Sequence, residues 1–196
     1  LSWGLLQPFA GALAVRFGFR PLMVVGALLY IVGLALLAGA HGVVGVVIGG
    51  GVLIGPSLAC TATAIAMSVS ARAVPAIVRS TVLGIVSAAG SLGALVSAPI
   101  GQMLNESFGW RVGLLGFVVL ALLMIPAAWY AGRIDRVPLP KPAPDDIGNA
   151  TALTAAKTAF GNASFVVMAL AYMVCGMQLV FLTTHLPSYL AICGLD

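Results

Sequence analysis

The sequence predicts an all-α fold, a polytopic membrane helix bundle, on three observations. Of 196 residues, 61% are hydrophobic and only 7% are charged, with a mean hydropathy of +1.14. An aqueous fold has no way to cover its surface with so few polar side chains, so the solvent is lipid. Apolar stretches of the length needed to cross a bilayer recur along the chain, and the basic residues fall almost wholly in alternate connections between them.

The spans follow in order. Leu1–Ala14 is shorter than the roughly twenty residues that a crossing helix needs and is expected to be a truncated first span. Full spans are predicted near Pro21–Ala40, Val43–Met67, Ser80–Leu104, Val112–Tyr130 and Phe165–Tyr189, about six crossings in all. The third and fourth carry small residues four apart, namely Gly45/Gly49, Gly51/Gly55, Gly90/Ala94/Ala98 and Gly93/Ser97/Gly101, a spacing that lets membrane helices approach closely. Pro56 and Pro99 are expected to loosen these two helices locally.

The connections assign the sides. Arg16 and Arg20 follow the first span, Arg72 and Arg79 the third, and Arg133, Arg136, Lys141 and Lys157 the fifth, whereas connections of the other parity carry only Arg111, with His41 and Glu106 beside it. By the positive-inside rule, connections 15–20, 71–79 and 132–163 are expected to be cytoplasmic. The long interruption 132–163 contains RVPLPKPAPDDIGN, rich in proline and charge, and reads as a linker. Its second half, TALTAAKTAF, places Leu153, Ala156, Lys157 and Phe160 at helical spacing, a pattern for a short amphipathic helix on the membrane surface.

Several function classes find no support. No basic run is interleaved with aromatics, so nucleic acid is not an expected partner. HExxH, GxSxG and Walker motifs are missing, as is a carboxylate pair inside a span, and no catalytic residues are assigned. Cys60, Cys175 and Cys193 form neither a CxxC pair nor an even set, which implies no metal site and no disulfide framework. No cofactor is expected. Asn105, Asn149 and Asn162 open Asn-x-Ser/Thr matches, of which Asn105 alone is expected outside.

Three stretches then carry a family resemblance. GALAVRFGFR, Gly11 to Arg20, resembles the G-x-x-x-D-R-x-G-x-R signature between the second and third helices of the major facilitator superfamily. FGWRVGLLGFVVLALL, Phe108 to Leu123, looks like the outer turn leading into that family's sixth helix. MVCGMQLVFLTTHLPSYLAICGLD, Met173 to Asp196, is similar to the seventh helix of its monocarboxylate and oxalate/formate branch. The resemblance implies a partial major facilitator fold running from the second helix through the seventh: residues 1–131 as most of the N-terminal half, 132–163 as the cytoplasmic linker, and 164–196 as the first helix of the C-terminal half. In that fold two six-helix halves rock about a substrate site near the bilayer midplane.

One position departs from the signature. Val15 stands where the family has Asp, while Gly11, Arg16, Gly18 and Arg20 are in place. The family's carboxylate takes part in a charge network that locks the two halves on the cytoplasmic side, so the resemblance implies a gate here without its acid. Gly18 still suits a tight turn at the membrane surface. Arg16 and Arg20 fit either a gating role or the anchoring of helix ends among anionic headgroups.

Polar residues inside spans are the candidates for a substrate cavity, because each is costly there without a partner or water. Cys60 and Thr63 share a stripe with Pro56 and Met67, with Ser57, Thr61 and Ser68 on an adjoining one; Ser87 and Ser91 share a face of the next helix. Such hydroxyls also bond readily to their own helix backbone. Gln178, His185 and Tyr189, at intervals of seven and four, line one stripe of the last span with Cys175 and Leu182. The resemblance implies secondary active transport of a small solute, an organic anion such as a monocarboxylate, coupled to a proton or a counter-substrate, across the plasma or bacterial inner membrane. A transport-inactive scaffold or sensor, motivated by Val15, and an efflux transporter of drug-like compounds are the other readings.

Overall fold

The computed structural model describes residues 2–137 and 157–194, except the side chains at 183, 187, 188, 190 and 191. Among these residues every regular element is helical. The chain divides into two compact units, Leu1–Leu139 and Pro140–Asp196.

The first unit holds five helical segments: α1 (Ser2–Phe17), α2 (Phe19–Ala38), α3 (Val43–Ala73), α4 (Ala76–Phe108) and α5 (Trp110–Arg136). The last four are long and apolar enough to cross a membrane. Several run beyond the apolar windows in the sequence, because a membrane helix continues into the polar layer where its charged residues meet water. Gly18 alone separates α1 from α2, at φ +93°, a left-handed conformation open mainly to glycine.

Two of the helices are interrupted. In α3 the backbone widens to a π-helix over Val47–Ile54, directly before Pro56. Proline has no N–H for the carbonyl four residues earlier, and Gly49, Gly50 and Gly51 tolerate the altered winding. A second interruption falls at Ala62, whose ψ of 161° leaves the helical region between Gly55–Thr61 and Thr63–Ala73. The α5 helix breaks at Leu123, three residues before Pro126. Pro99 lies inside α4, which continues from Arg79 to Phe108 without a break.

α2 is the centre of the unit, packed against α3 on one side and both parts of α5 on another, while α1 rests on Gly55–Thr61. Glycines set these approaches. A Cβ at Gly26 would lie 2.7 Å from the Cys60 Cβ, and one at Gly33 would lie 2.7 Å from Ile54 Cγ1 and 3.1 Å from the Gly49 carbonyl. Of the small residues expected to pack, Gly49 and Gly55 do so, and a Cβ at Gly101 would lie 3.4 Å from the Phe117 ring. Gly51, Gly90 and Gly93 face open space. α4 packs mainly against the Thr63–Ala73 part of α3 and the first part of α5, and none of its residues is buried.

Residues from α1, α2, α3 and α5 close a small core at one end of the unit, with Ala14, Phe19, Leu22, Ile65, Val69 and Ile134 in contact. The end of α1, the start of α2, the end of α3 and the end of α5 therefore share one side, the arrangement that alternate crossings require. At the opposite end Arg111 reaches back to the α2–α3 turn, its Nη2 donating to the Ala40 carbonyl (3.2 Å) with His41 Nε2 at 3.4 Å from Nη1.

The second unit contains α6 (Ala163–Ile192). The Asn162 side-chain oxygen accepts the Ser164 N–H at 3.0 Å and caps its start, and Phe160 packs edge-on against Phe165. Asn162 thus serves as a helix cap. Of the surface helix expected over TALTAAKTAF, residues 157–160 are helical and 151–156 lie outside the described residues.

Candidate functional site

The glycine–arginine signature lies at the core end of the first unit. α2 begins immediately after Gly18, so its first N–H groups have no partner within the helix. Asp135, at the end of α5, supplies one: Oδ1 accepts from Phe19 N and Oδ2 from Arg20 N, both at 2.8 Å. A carboxylate at a helix start also opposes the positive end of the helix dipole. The turn that lacks the signature's acid at Val15 has this one instead, delivered from 116 residues away. Gly18 is constrained twice, since a Cβ there would lie 2.9 Å from Asp135 Oδ2.

The arginines around it are held by rings and backbone. Arg20 lies over the Trp129 ring at 4.6 Å, and Gly132 lets the two helices meet there, because its Cβ would stand 2.6 Å from the Arg20 Cα. Arg72 lies over Phe19 at 5.2 Å while its Nη2 donates to the Val137 carbonyl at 3.0 Å. Arg16 stacks on Phe17 at 5.3 Å, and Gly11 has open space beside it. A cavity of about 490 Å³ opens among the α1–α2 turn, Arg72, Asp135 and Val137, with Val15 and Arg16 in its wall.

The membrane-embedded candidates are placed separately. Cys60 is half-buried against the core and Gly26, two residues before the Ala62 break. Thr63 is exposed and begins the second half of α3, where Ile65 and Ala66 donate back to the Ala62 carbonyl at 2.9 and 3.1 Å. Ser57 is fully buried and its Oγ has no hydrogen-bond partner, whereas the Thr61 hydroxyl donates to the Ser57 carbonyl at 2.9 Å. On α4, the Ser91 hydroxyl is 3.4 Å from the Ser87 backbone carbonyl, so Ser91 engages its own helix.

On α6, His185 and Tyr189 line one hollow of about 300 Å³ with Phe181, Leu182 and Leu186. The Phe181 and His185 rings are 5.2 Å apart. Gln178 lies N-terminal to that hollow and is not in its wall. Its chemistry is an apolar surface with one imidazole and one phenol, suited to a small solute that is polar at one end.

Sequence reasoning missed Asp135, Arg72's place in the cavity wall, and the break at Ala62. The first two depend on long-range contacts. The third has neither glycine nor proline to mark it, only threonines on either side, of which Thr61 turns its hydroxyl to a backbone carbonyl.

Monocarboxylate transporter 3 of Mus musculus is 33% identical to the chain over 119 residues, which is 59% of this chain and 23% of that protein. The chain thus spans about a quarter of the length of that relative. No solved structure gives a significant match. The profile of the Major Facilitator Superfamily matches residues 1–196, the whole of the sequence, and the chain belongs to that superfamily.

Proposed function

We propose that the protein carrying this chain is a secondary active transporter of a small organic anion, of the monocarboxylate class, working by alternating access. The observation that carries the reading is superfamily membership together with the likeness to a monocarboxylate transporter. The broken α3 supports it. A half-helix that starts at Thr63 within a membrane span presents N–H groups and a positive dipole end, which favour a carboxylate in a low-dielectric site. Thr63 and Cys60 flank that break, and Gln178, His185 and Tyr189 on α6 are separate candidates in the second unit. Ser87 is a further candidate on α4, and Ser91 is a weaker one because its hydroxyl is directed at its own helix.

A scaffold or sensor that has lost its gate is motivated by Val15, and the Asp135 carboxylate that reaches the α1–α2 turn from the end of α5 weakens that motive. We assign the signature Gly11, Val15, Arg16, Gly18 and Arg20 to the cytoplasmic gate, with Asp135 as the acid that stabilises its turn. Coupling is to a proton or a counter-substrate. The test is uptake and counterflow of labelled lactate, pyruvate and oxalate into proteoliposomes of the full-length protein, with drug-like cations as comparison. Saturable uptake of a carboxylate that is accelerated by the same carboxylate on the far side is expected. A folded protein that moves none of them would overturn the reading.

A further inference from the structure

We propose that the cavity between the α1–α2 turn and the ends of α3 and α5 binds the phosphate of an anionic phospholipid. The charge balance of its wall points that way. Two guanidinium groups, Arg16 and Arg72, face one carboxylate, Asp135, and both oxygens of that carboxylate already accept backbone N–H groups of α2. Among the described residues Arg16 makes only its contact with the Phe17 ring, and Arg72 uses one nitrogen on the Val137 carbonyl. A guanidinium has five N–H donors, so both retain several for an anion. Phosphate matches their forked geometry, and Asp135 is not free to compete for them.

The rest of the wall selects a lipid over a soluble anion. Val15, Phe17 and Phe19 are apolar, and Val15 is 72% exposed at the very place where a carboxylate would otherwise answer the arginines. A cavity of about 490 Å³ is many times the roughly 30 Å³ that one water takes up in the liquid, so it has room for a phosphoglycerol with the first part of its chains. It lies where α1, α3 and α5 end and α2 starts, and the ends of spanning helices are where a chain meets the headgroup layer. Arginines, aromatic faces and an apolar wall together match a molecule that is anionic at one end and greasy at the other. The proposal does not depend on the transported substrate.

The experiment uses the full-length protein, purified in detergent and stripped of lipid. Phosphatidylglycerol, phosphatidylcholine and sodium phosphate are titrated separately, with the thermal midpoint and lipid retained by mass spectrometry as readouts. Phosphatidylglycerol is expected to raise the midpoint and remain bound, and the other two are expected to do neither. Arg16→Gln and Arg72→Gln should each weaken phosphatidylglycerol binding about fivefold, as expected for one basic residue at a charged surface. Val15→Asp, which keeps both arginines and sets an acid beside them, should weaken it comparably, and carries the test if Arg72→Gln does not fold. Arg111→Gln, at the other end of the unit, should leave it unchanged. Binding in Arg16→Gln and Val15→Asp as tight as in the unsubstituted protein would overturn the site, and a response to sodium phosphate as strong as to phosphatidylglycerol would overturn the lipid.

Discussion

Asp135 accepts two successive backbone N–H groups at the start of α2, a bidentate form of the helix cap. Asp135→Ala is therefore expected to cost about 1–2 kcal/mol, read as a lower unfolding midpoint of the full-length protein, and Asp135→Asn less, since the amide oxygen keeps one acceptor. Ser57 predicts the opposite sign. A fully buried hydroxyl without a partner is a liability, so Ser57→Ala should leave stability unchanged or raise it by about 1 kcal/mol. If transport falls while stability rises, the hydroxyl serves the transport cycle. His185→Gln tests the α6 hollow, because glutamine keeps a hydrogen bond but loses the ring that lines the hollow beside Phe181. Substrate affinity is expected to drop, and an unaltered affinity would return His185 to packing. At this scale the sequence made Gly18 legible, because a glycine between two arginines at a span end has a local cause. Asp135 was not legible, since nothing local to GRIDR says that it will meet a helix start more than a hundred residues away.

Among the elements, α3 departs furthest from a plain membrane helix. Its apolar length was readable from composition, because crossing a bilayer demands about twenty apolar residues whatever their order. Its interior was only half readable: proline and glycine mark the π segment, while the break at Ala62 follows from competition for carbonyls that no residue type announces. The glycine ridges were recognisable as a class, but which glycines do the packing depends on how each helix is rotated about its axis. Gly33 is pressed against α3 and Gly51 faces open space. Gly33→Ala should accordingly destabilise the full-length protein by about 1–3 kcal/mol through overpacking. Gly51→Ala should be neutral or slightly stabilising, as glycine is the poorer helix former. Equal effects in thermal unfolding would mean that the α2–α3 approach is not what holds the unit together.

For the molecule as a whole, the convergence of four helix ends around Asp135 and Arg72 agrees with the alternation of basic connections, and from the positive-inside rule we propose that this side is cytoplasmic. Cysteines introduced at Ala73 and Val137 should be shielded from an impermeant thiol reagent in intact cells, and one at Ser107 should react. Labelling at Val137 from outside would invert the orientation. The Asp135 cap has a further consequence, in time rather than in space. During synthesis the chain emerges from its N-terminus, so α2 enters the membrane long before the residue that satisfies its start has been translated. Until then Phe19 and Arg20 rely on water or headgroups for partners. Arrival of α5 supplies both acceptors at once, so the start of α2 gains its protein partner only when translation has reached Asp135.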